Sequence, residues 1–344
     1  MEDIRHRSLY KYNENWGYQF RSNLKVRISC LEPNNVHDRS SYYVRTNELG
    51  GRTDNRVAKS GGERKKYEIL FIGCSLAAGD GVSNQYRFSD LVERELPDSR
   101  SHNYALSGSG NDQQYLIHRD ISRLVENNVL VLCPYIGDIV RNTKDGKLTY
   151  DPFIQRKVYR PKPYFEIEND ELVLKNVPVP RIKILGERGN GSTAPKADHP
   201  GLKMLRKLKG GLKTAFRSIT GDSGQESREP LWEYRLYDEP ASREYILAFR
   251  LVTQLLKESG ADYKIVMPLP NHNYYRLKWR ANYLKLFGDA AEESGAYLLD
   301  ILPSITELSQ DDFARFLLSH GHYSEFGHRF IAKVLSGYLI KILR

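Results

Sequence analysis

Four apolar residues in a row, Ile69-Leu70-Phe71-Ile72, stop abruptly at Gly73-Cys74-Ser75. A run of that length, closed by a glycine, suits a strand buried on both faces. Such strands belong to parallel sheets covered by helices on both sides. The pattern recurs along the chain. Residues 129–136 (VLVLCPYI) read as a second buried strand, 263–270 as a third with a proline stop, and 296–300 as the last. Tyr104-Ala105-Leu106 reads as a short strand between the first two. Helical patterns fill the gaps at 86–96, at 113–125 with Asn111 or Asp112 as cap, at 245–259, at 275–294 and from Arg329 to about Leu343. The expected fold is therefore α/β: a flavodoxin-like three-layer α/β/α sandwich around a central parallel sheet. Residues 1–66 form a partly β preface, with period-2 alternation at 25–30 and 42–45 and a turn-rich Asn47-Glu48-Leu49-Gly50-Gly51-Arg52. Residues 67–344 form the main domain, interrupted by an insertion at 144–235.

Three strand ends in succession carry a glycine with a small polar residue: Gly73/Ser75, Gly108 and Gly137/Asp138. In a parallel sheet those ends share one edge, where ligands bind. Ser75 sits there behind a glycine that lets the chain turn sharply and leaves the hydroxyl approachable. The plainer alternative is a tight strand-to-helix turn with a serine cap.

The composition narrows the function classes. With 40% hydrophobic and 28% charged residues, the 344-residue chain reads as a soluble globular protein. No apolar run reaches the roughly 20 residues that span a bilayer, and the charged, aromatic N-terminus lacks a signal-peptide core, so the expected location is cytoplasmic. Cys30, Cys74 and Cys133 form neither a disulfide framework nor a metal-ligand spacing; Cys30 and Cys133 read as core residues. The net charge of +9 is uneven. In the insertion, Leu202, Leu205, Leu208, Leu212, Phe216 and Ile219 make one apolar helical face, with six Lys and Arg and no acid around it. That is the pattern of a helix at an anionic membrane surface, or of a surface helix packed on its own domain. Those six cations account for most of the excess charge, so it is not a nucleic-acid signal.

The C-terminal segment His320-Gly321-His322-Tyr323-Ser324-Glu325-Phe326-Gly327-His328 holds three of the nine histidines, just before a helix. Histidine in that setting titrates near neutrality. No carboxylate or cysteine cluster completes a metal site around His320 and His322, and no cofactor is expected.

Taken together, FIGCSLAAGDGV, ALSGSGNDQQYL and HGHYSEFGHRFIA resemble the three ordered blocks of the SGNH (GDSL-like) hydrolase superfamily. Residues 47–52 are similar to the lead-in of its glycan-associated members. The resemblance implies that Ser75 is the nucleophile, His322 the base, and the N–H groups of Ser75 and Gly108 part of the oxyanion hole. It also implies an asparagine donor ahead of Asp138 and an acid two or three residues before the histidine. Here those positions hold Gly137, and His320 and Ser319, while Cys74 replaces the usual aspartate of the first block. Asn111 or Asn142 can replace the missing donor. A backbone carbonyl, Asp311 or Asp312 can take the place of the acid, and His320 and Asp138 are further supporting candidates. The expected activity is serine-dependent hydrolysis of a small or carbohydrate ester, with acyl transfer to a glycan or a non-catalytic binding protein as alternatives. A nucleophilic Cys74 is disfavoured because its side chain should point away from that of Ser75.

Overall fold

In the computed structural model the described residues are 9–29, 41–53, 64–151, 156–184, 232–270, 274 and 282–343. Cys30, the 186–201 loop and the basic amphipathic segment from Leu202 to Ile219 lie outside them.

The chain opens with two antiparallel hairpins, β1 (Tyr10–Asn13) with β2 (Gly17–Phe20), and β3 (Lys25–Ser29) with β4 (Ser41–Arg45). The central sheet begins with β5 (Tyr67–Gly73) and continues through α1 (Ser75–Ala78), α2 (Phe88–Glu95), β6 (Ser99–Asn103), α3 (Asn111–Ile121) and β7 (Val129–Cys133). A 3-10 segment, Ile136–Arg141, follows β7. The insertion then supplies β8 (Gly146–Asp151), β9 (Arg156–Pro161), β10 (Tyr164–Glu168), β11 (Glu171–Lys175) and β12 (Lys183–Ile184). The layered rhythm resumes with α4 (Trp232–Arg235), α5 (Arg243–Glu258), β13 (Tyr263–Val266), α6 (Tyr283–Glu293), β14 (Tyr297–Leu298), α7 (Leu302–Thr306), α8 (Gln310–Phe316) and α9 (Glu325–Ile342).

The five strands of the sheet run parallel in the order β14-β13-β7-β5-β6, the flavodoxin-like arrangement expected from the sequence. Successive strand residues point to opposite layers. Leu70, Ile72, Leu130, Leu132 and Val266 join one apolar cluster with α3, α5 and α6. Ile69, Phe71, Val129, Val131, Cys133 and Ile265 join the other, with α2 and α9. This two-sided burial is why the strands read as unbroken apolar runs. The first cluster also takes in Trp16, Phe20, Val26, Ile28 and Val44, so the preface packs onto the same face as α3 and α5.

The second strand is displaced from its expected position. It lies at Ser99–Asn103, and Tyr104-Ala105-Leu106 continues beyond it as a buried turn approach. A strand of Ser-Arg-Ser-His-Asn is stable at this edge because each of its side chains finds a polar partner, although His102 Nδ1 is buried without one. His102 bonds Glu68 at 2.8 Å, Ser101 donates to the Ser89 carbonyl at 2.8 Å, and Asn103 donates to the Ala77 carbonyl at 2.9 Å. The cap of α3 is Gly110, one residue before Asn111. Val177-Pro178-Val179-Pro180, expected in a β element, is not a strand. The insertion instead builds a three-stranded antiparallel sheet, β12-β9-β8, and a separate β10–β11 hairpin.

Candidate active site

Between β5 and β7 the strand order reverses, because the chain leaves β5 for one edge and returns to its other side at β7. Sheets of this kind carry their ligand crevice there, at the carboxyl ends of the strands. Ser75 lies at this point. It is the first residue of α1, half-buried, while Cys74 before it is fully buried in the opposite layer. Burial pushes the Cys74 thiol up to about 12, so no thiolate forms near neutral pH.

The turn that follows α1 is held by a residue far upstream. Arg52, 1% exposed, donates from one terminal nitrogen to the carbonyls of Ala78 (2.5 Å) and Gly79 (2.7 Å), from the other to Val82 (2.5 Å), and from Nε to Asn84 Oδ1 (3.3 Å). Burial pulls this guanidinium down to about 10, yet it remains charged at neutral pH. The turn-rich 47–52 segment thus positions the serine turn, a contribution that carried no signal in sequence beyond the motif itself.

The next wall is the turn 107–109. Gly108 has φ +80°, which favours glycine, and a Cβ there would stand 3.2 Å from the Tyr18 hydroxyl. Tyr18 donates to the Ser107 carbonyl at 2.5 Å. Ser107 donates to Asp80 Oδ1 at 2.8 Å, and Ser109 Oγ and the Leu106 amide both donate to the Gly73 carbonyl, at 3.1 and 2.9 Å. The Gly108 turn is therefore stitched directly to the segment that carries Ser75.

The end of β7 differs from what the sequence suggested. A Cβ at position 137 would overlap the ring of Tyr135, so no asparagine fits there without displacing it. Asp138 is fully buried; its Oδ2 accepts from the Tyr135 amide (3.2 Å) and Gln114 Nε2 (3.0 Å), and its Oδ1 is ion-paired with Arg141 (2.5 Å). Burial raises its carboxyl to about 6 despite the arginine. Asn111 and Asn142, the candidate replacement donors, are also buried and engage each other. Asn142 Nδ2 donates to Asn111 Oδ1 at 3.0 Å, and Asn111 Nδ2 donates to Gln114 Oε1 at 3.2 Å. All three residues belong to a packed polar layer under α3 rather than to the crevice surface. The residue that reaches from this layer toward the crevice is Arg141, 30% exposed, which donates to the Ser109 carbonyl at 2.9 Å. Sequence reasoning missed it.

The histidine loop closes the last side. A Cβ on Gly81 would stand 3.1 Å from His320 Nε2 and 2.5 Å from Leu318, so this loop packs against the turn that follows α1. The loop is anchored by the Leu318 amide on the His322 carbonyl (2.7 Å), by buried Tyr323 donating to the Pro270 carbonyl (2.6 Å), and by Ser324 capping α9. His320 Nδ1 and His322 Nδ1 are 2.8 Å apart. One must donate and the other accept. Asp312, weighed as a substitute acid, instead accepts from Ser309 Oγ (3.2 Å) and pairs with Arg315 (3.5 Å) in α8, and Asp311 is exposed beside it. Neither is a partner of the histidines; His320 is. Among the described residues no group of three His, Cys, Asp or Glu side chains is arranged to hold a metal ion, and no helix is long and apolar enough to cross a membrane.

No family model and no curated protein matches the chain. Solved structures similar to it include a lipase/acylhydrolase from Enterococcus faecalis, with 10% identity over 80% of this chain and 96% of that one and a TM-score of 0.41. A member of the lipolytic G-D-S-L family from Veillonella parvula is also 10% identical, over 80% and 97%, with a TM-score of 0.39. An acetylxylan esterase from Geobacillus stearothermophilus is 13% identical, over 81% and 95%, also at 0.39. At these scores the fold assignment stands on the strand order of the sheet itself.

Proposed function

We propose that this chain is a serine-dependent ester hydrolase, with Ser75 as nucleophile and His322 as base. The observation that carries the proposal is the His320–His322 contact on a loop packed against the turn that follows the short helix begun by Ser75. A serine hydroxyl needs a base to take its proton, and the base needs a partner that fixes its tautomer. If His322 donates its Nδ1 proton to His320 Nδ1, its Nε2 lone pair is left to accept the serine proton. His320 then does as a neutral acceptor what a carboxylate does in the family that the sequence resembles. Ser75 Oγ attacks the acyl carbon, the carbonyl oxygen takes the negative charge, and the N–H groups of Ser75 and Gly108 receive it. His322 passes the proton to the departing alcohol, and water then releases the acyl group by the reverse path. Acylated carbohydrate is the proposed substrate class, on the resemblance of residues 47–52.

A second reading, a binding protein that keeps the fold without turnover, is favoured by Tyr135 filling the space where a third oxyanion donor would stand. One experiment separates the two. Purified wild type, Ser75→Ala, His322→Ala and His320→Ala are treated with a fluorophosphonate and read by intact mass. Stoichiometric labelling that requires Ser75 and His322, and slows in His320→Ala, is the expected result. A folded wild type that takes no label sinks the hydrolase reading and leaves the binding one.

A further inference from the structure

The insertion brings a second set of groups to the same crevice. In the antiparallel pair β8–β9, Lys147 lies directly opposite Arg160. Facing residues in such a pair share one side of the ladder, and like charges there are unfavourable. Lys147 also reaches the Gly108 turn, with its Nζ 3.9 Å from where a Cβ on Gly108 would be. Arg141 arrives from the other direction, donating to the Ser109 carbonyl and lying over the Tyr135 ring at 5.6 Å. Lys147, Arg160 and Arg141 are therefore neighbours beside the Gly108 turn, and Lys144 is a fourth cation near enough to act on Lys147.

The nearby acids do not neutralise Lys147. Asp138 is committed to Arg141, buried Asp112 to Lys162, Asp80 to the Ser107 hydroxyl and Asp145 to the Tyr159 hydroxyl. Glu233 faces Lys144 and Arg141, and burial raises its carboxyl. Lys147 itself makes no hydrogen bond or ion pair among the described residues. Its ammonium is held below its ordinary range by burial and by Arg141, Arg160 and Lys144, with no carboxylate acting the other way.

We infer that Lys147, with Arg160 and Arg141, forms an anion subsite beside Gly108 that takes a carboxylate, phosphate or sulfate group of the substrate. An oxyanion seated there relieves the opposed charges on β8 and β9 and gains charge-assisted hydrogen bonds. Gly108 is the residue proposed to hold the developing oxyanion, so the subsite sits within a few bonds of the ester carbonyl. On the hydrolase reading, on which the word substrate rests, the preferred ester carries a negative charge close to its acyl carbon. A neutral acetylated sugar then lacks one of the contacts that the crevice offers.

The test reads the subsite apart from catalysis. Protein labelled with nitrogen-15 at glycine is titrated with inorganic phosphate and, separately, with acetate, and the Gly108 amide signal is followed. In wild type and in Ser75→Ala the signal should move saturably. In Lys147→Glu it should not, while the other glycine signals stay in place and report an intact fold. Movement with phosphate alone assigns a phosphate or sulfate group, and movement with both includes carboxylates. No movement in wild type, or equal movement in Lys147→Glu, overturns the subsite whatever the catalytic result. In parallel, kcat/KM is measured for 4-nitrophenyl acetate and mono-4-nitrophenyl succinate. The ratio of the charged to the neutral ester should fall about tenfold or more in Lys147→Glu. Absence of Ser75-dependent turnover of both esters counts against the hydrolase reading alone, and the phosphate and acetate titrations then decide the subsite.

Discussion

The ends of β5 and β7 look alike in sequence, and the fold uses them in opposite ways. Each is a buried strand followed by a glycine and a small polar residue. At the end of β5 the intervening Cys74 turns into the core and Ser75 is left half-buried in the crevice. At the end of β7 the space beside Gly137 is filled by the Tyr135 ring, and Asp138 turns inward to two hydrogen-bond donors and the Arg141 cation. The same local signal thus marks the proposed nucleophile in one place and a buried structural hub in the other. What separates them is the neighbour across the turn, which is a long-range property.

That contrast can be broken most sharply by exchanging loss of function for loss of stability. Ser75→Ala should lower ester turnover by about 1,000-fold or more, with an unfolding free energy within about 0.5 kcal/mol of wild type. Asp138→Ala should do the reverse first. It strands Arg141 and Gln114 and should cost about 3–5 kcal/mol in urea unfolding, as loss of one partner of a buried pair does. Equal loss of stability in both variants would remove the distinction. A gentler probe is Gly137→Asn, which installs the family's donor against the Tyr135 ring. Overpacking of that kind costs about 1–3 kcal/mol, and combining it with Tyr135→Ala should recover most of the loss by the same measurement.

The smallest expected effect concerns His118, a buried residue of α3 that burial holds down to about 4. The unfolded chain takes up that proton near pH 6.5, before the folded chain does, so stability falls as the pH drops from about 6.5 toward 4. His118→Leu should remove about 2 kcal/mol of the difference between the unfolding free energies at pH 7 and pH 5. An unchanged slope would mean that His118 titrates in the folded state much as it does in the unfolded chain.

Sequence was informative where burial leaves a local imprint. β5, β7 and β13 were legible because both faces are covered, and each apolar run is the direct consequence. β6 was not, since its polar side chains carry no apolar imprint, and apart from the preceding α2 their partners lie on α1 and on β5, more than 20 residues away. The result was a strand set too late, at Tyr104-Ala105-Leu106. Of the candidate site, Ser75, Gly108 and the histidine loop were found through motif order. Asn111 and Asn142 were weighed as oxyanion donors because their types suited the task, yet each satisfies the other in a layer that sequence distance conceals. Arg141 and Lys147 escaped notice for the converse reason. A lone basic residue in a polar stretch has no pattern, and its place beside Gly108 depends on how the insertion folds back.

The reach of Arg52 has a practical corollary for anyone dividing this chain. A fragment starting at Arg64 would retain every strand of the central sheet, the serine and both histidines, and would look complete on paper. It would nevertheless leave the carbonyls of Ala78, Gly79 and Val82 without the cation that gathers them. The smallest inheritable or transplantable version of the site therefore begins upstream of residue 52, and the apparent appendage travels with the chemistry.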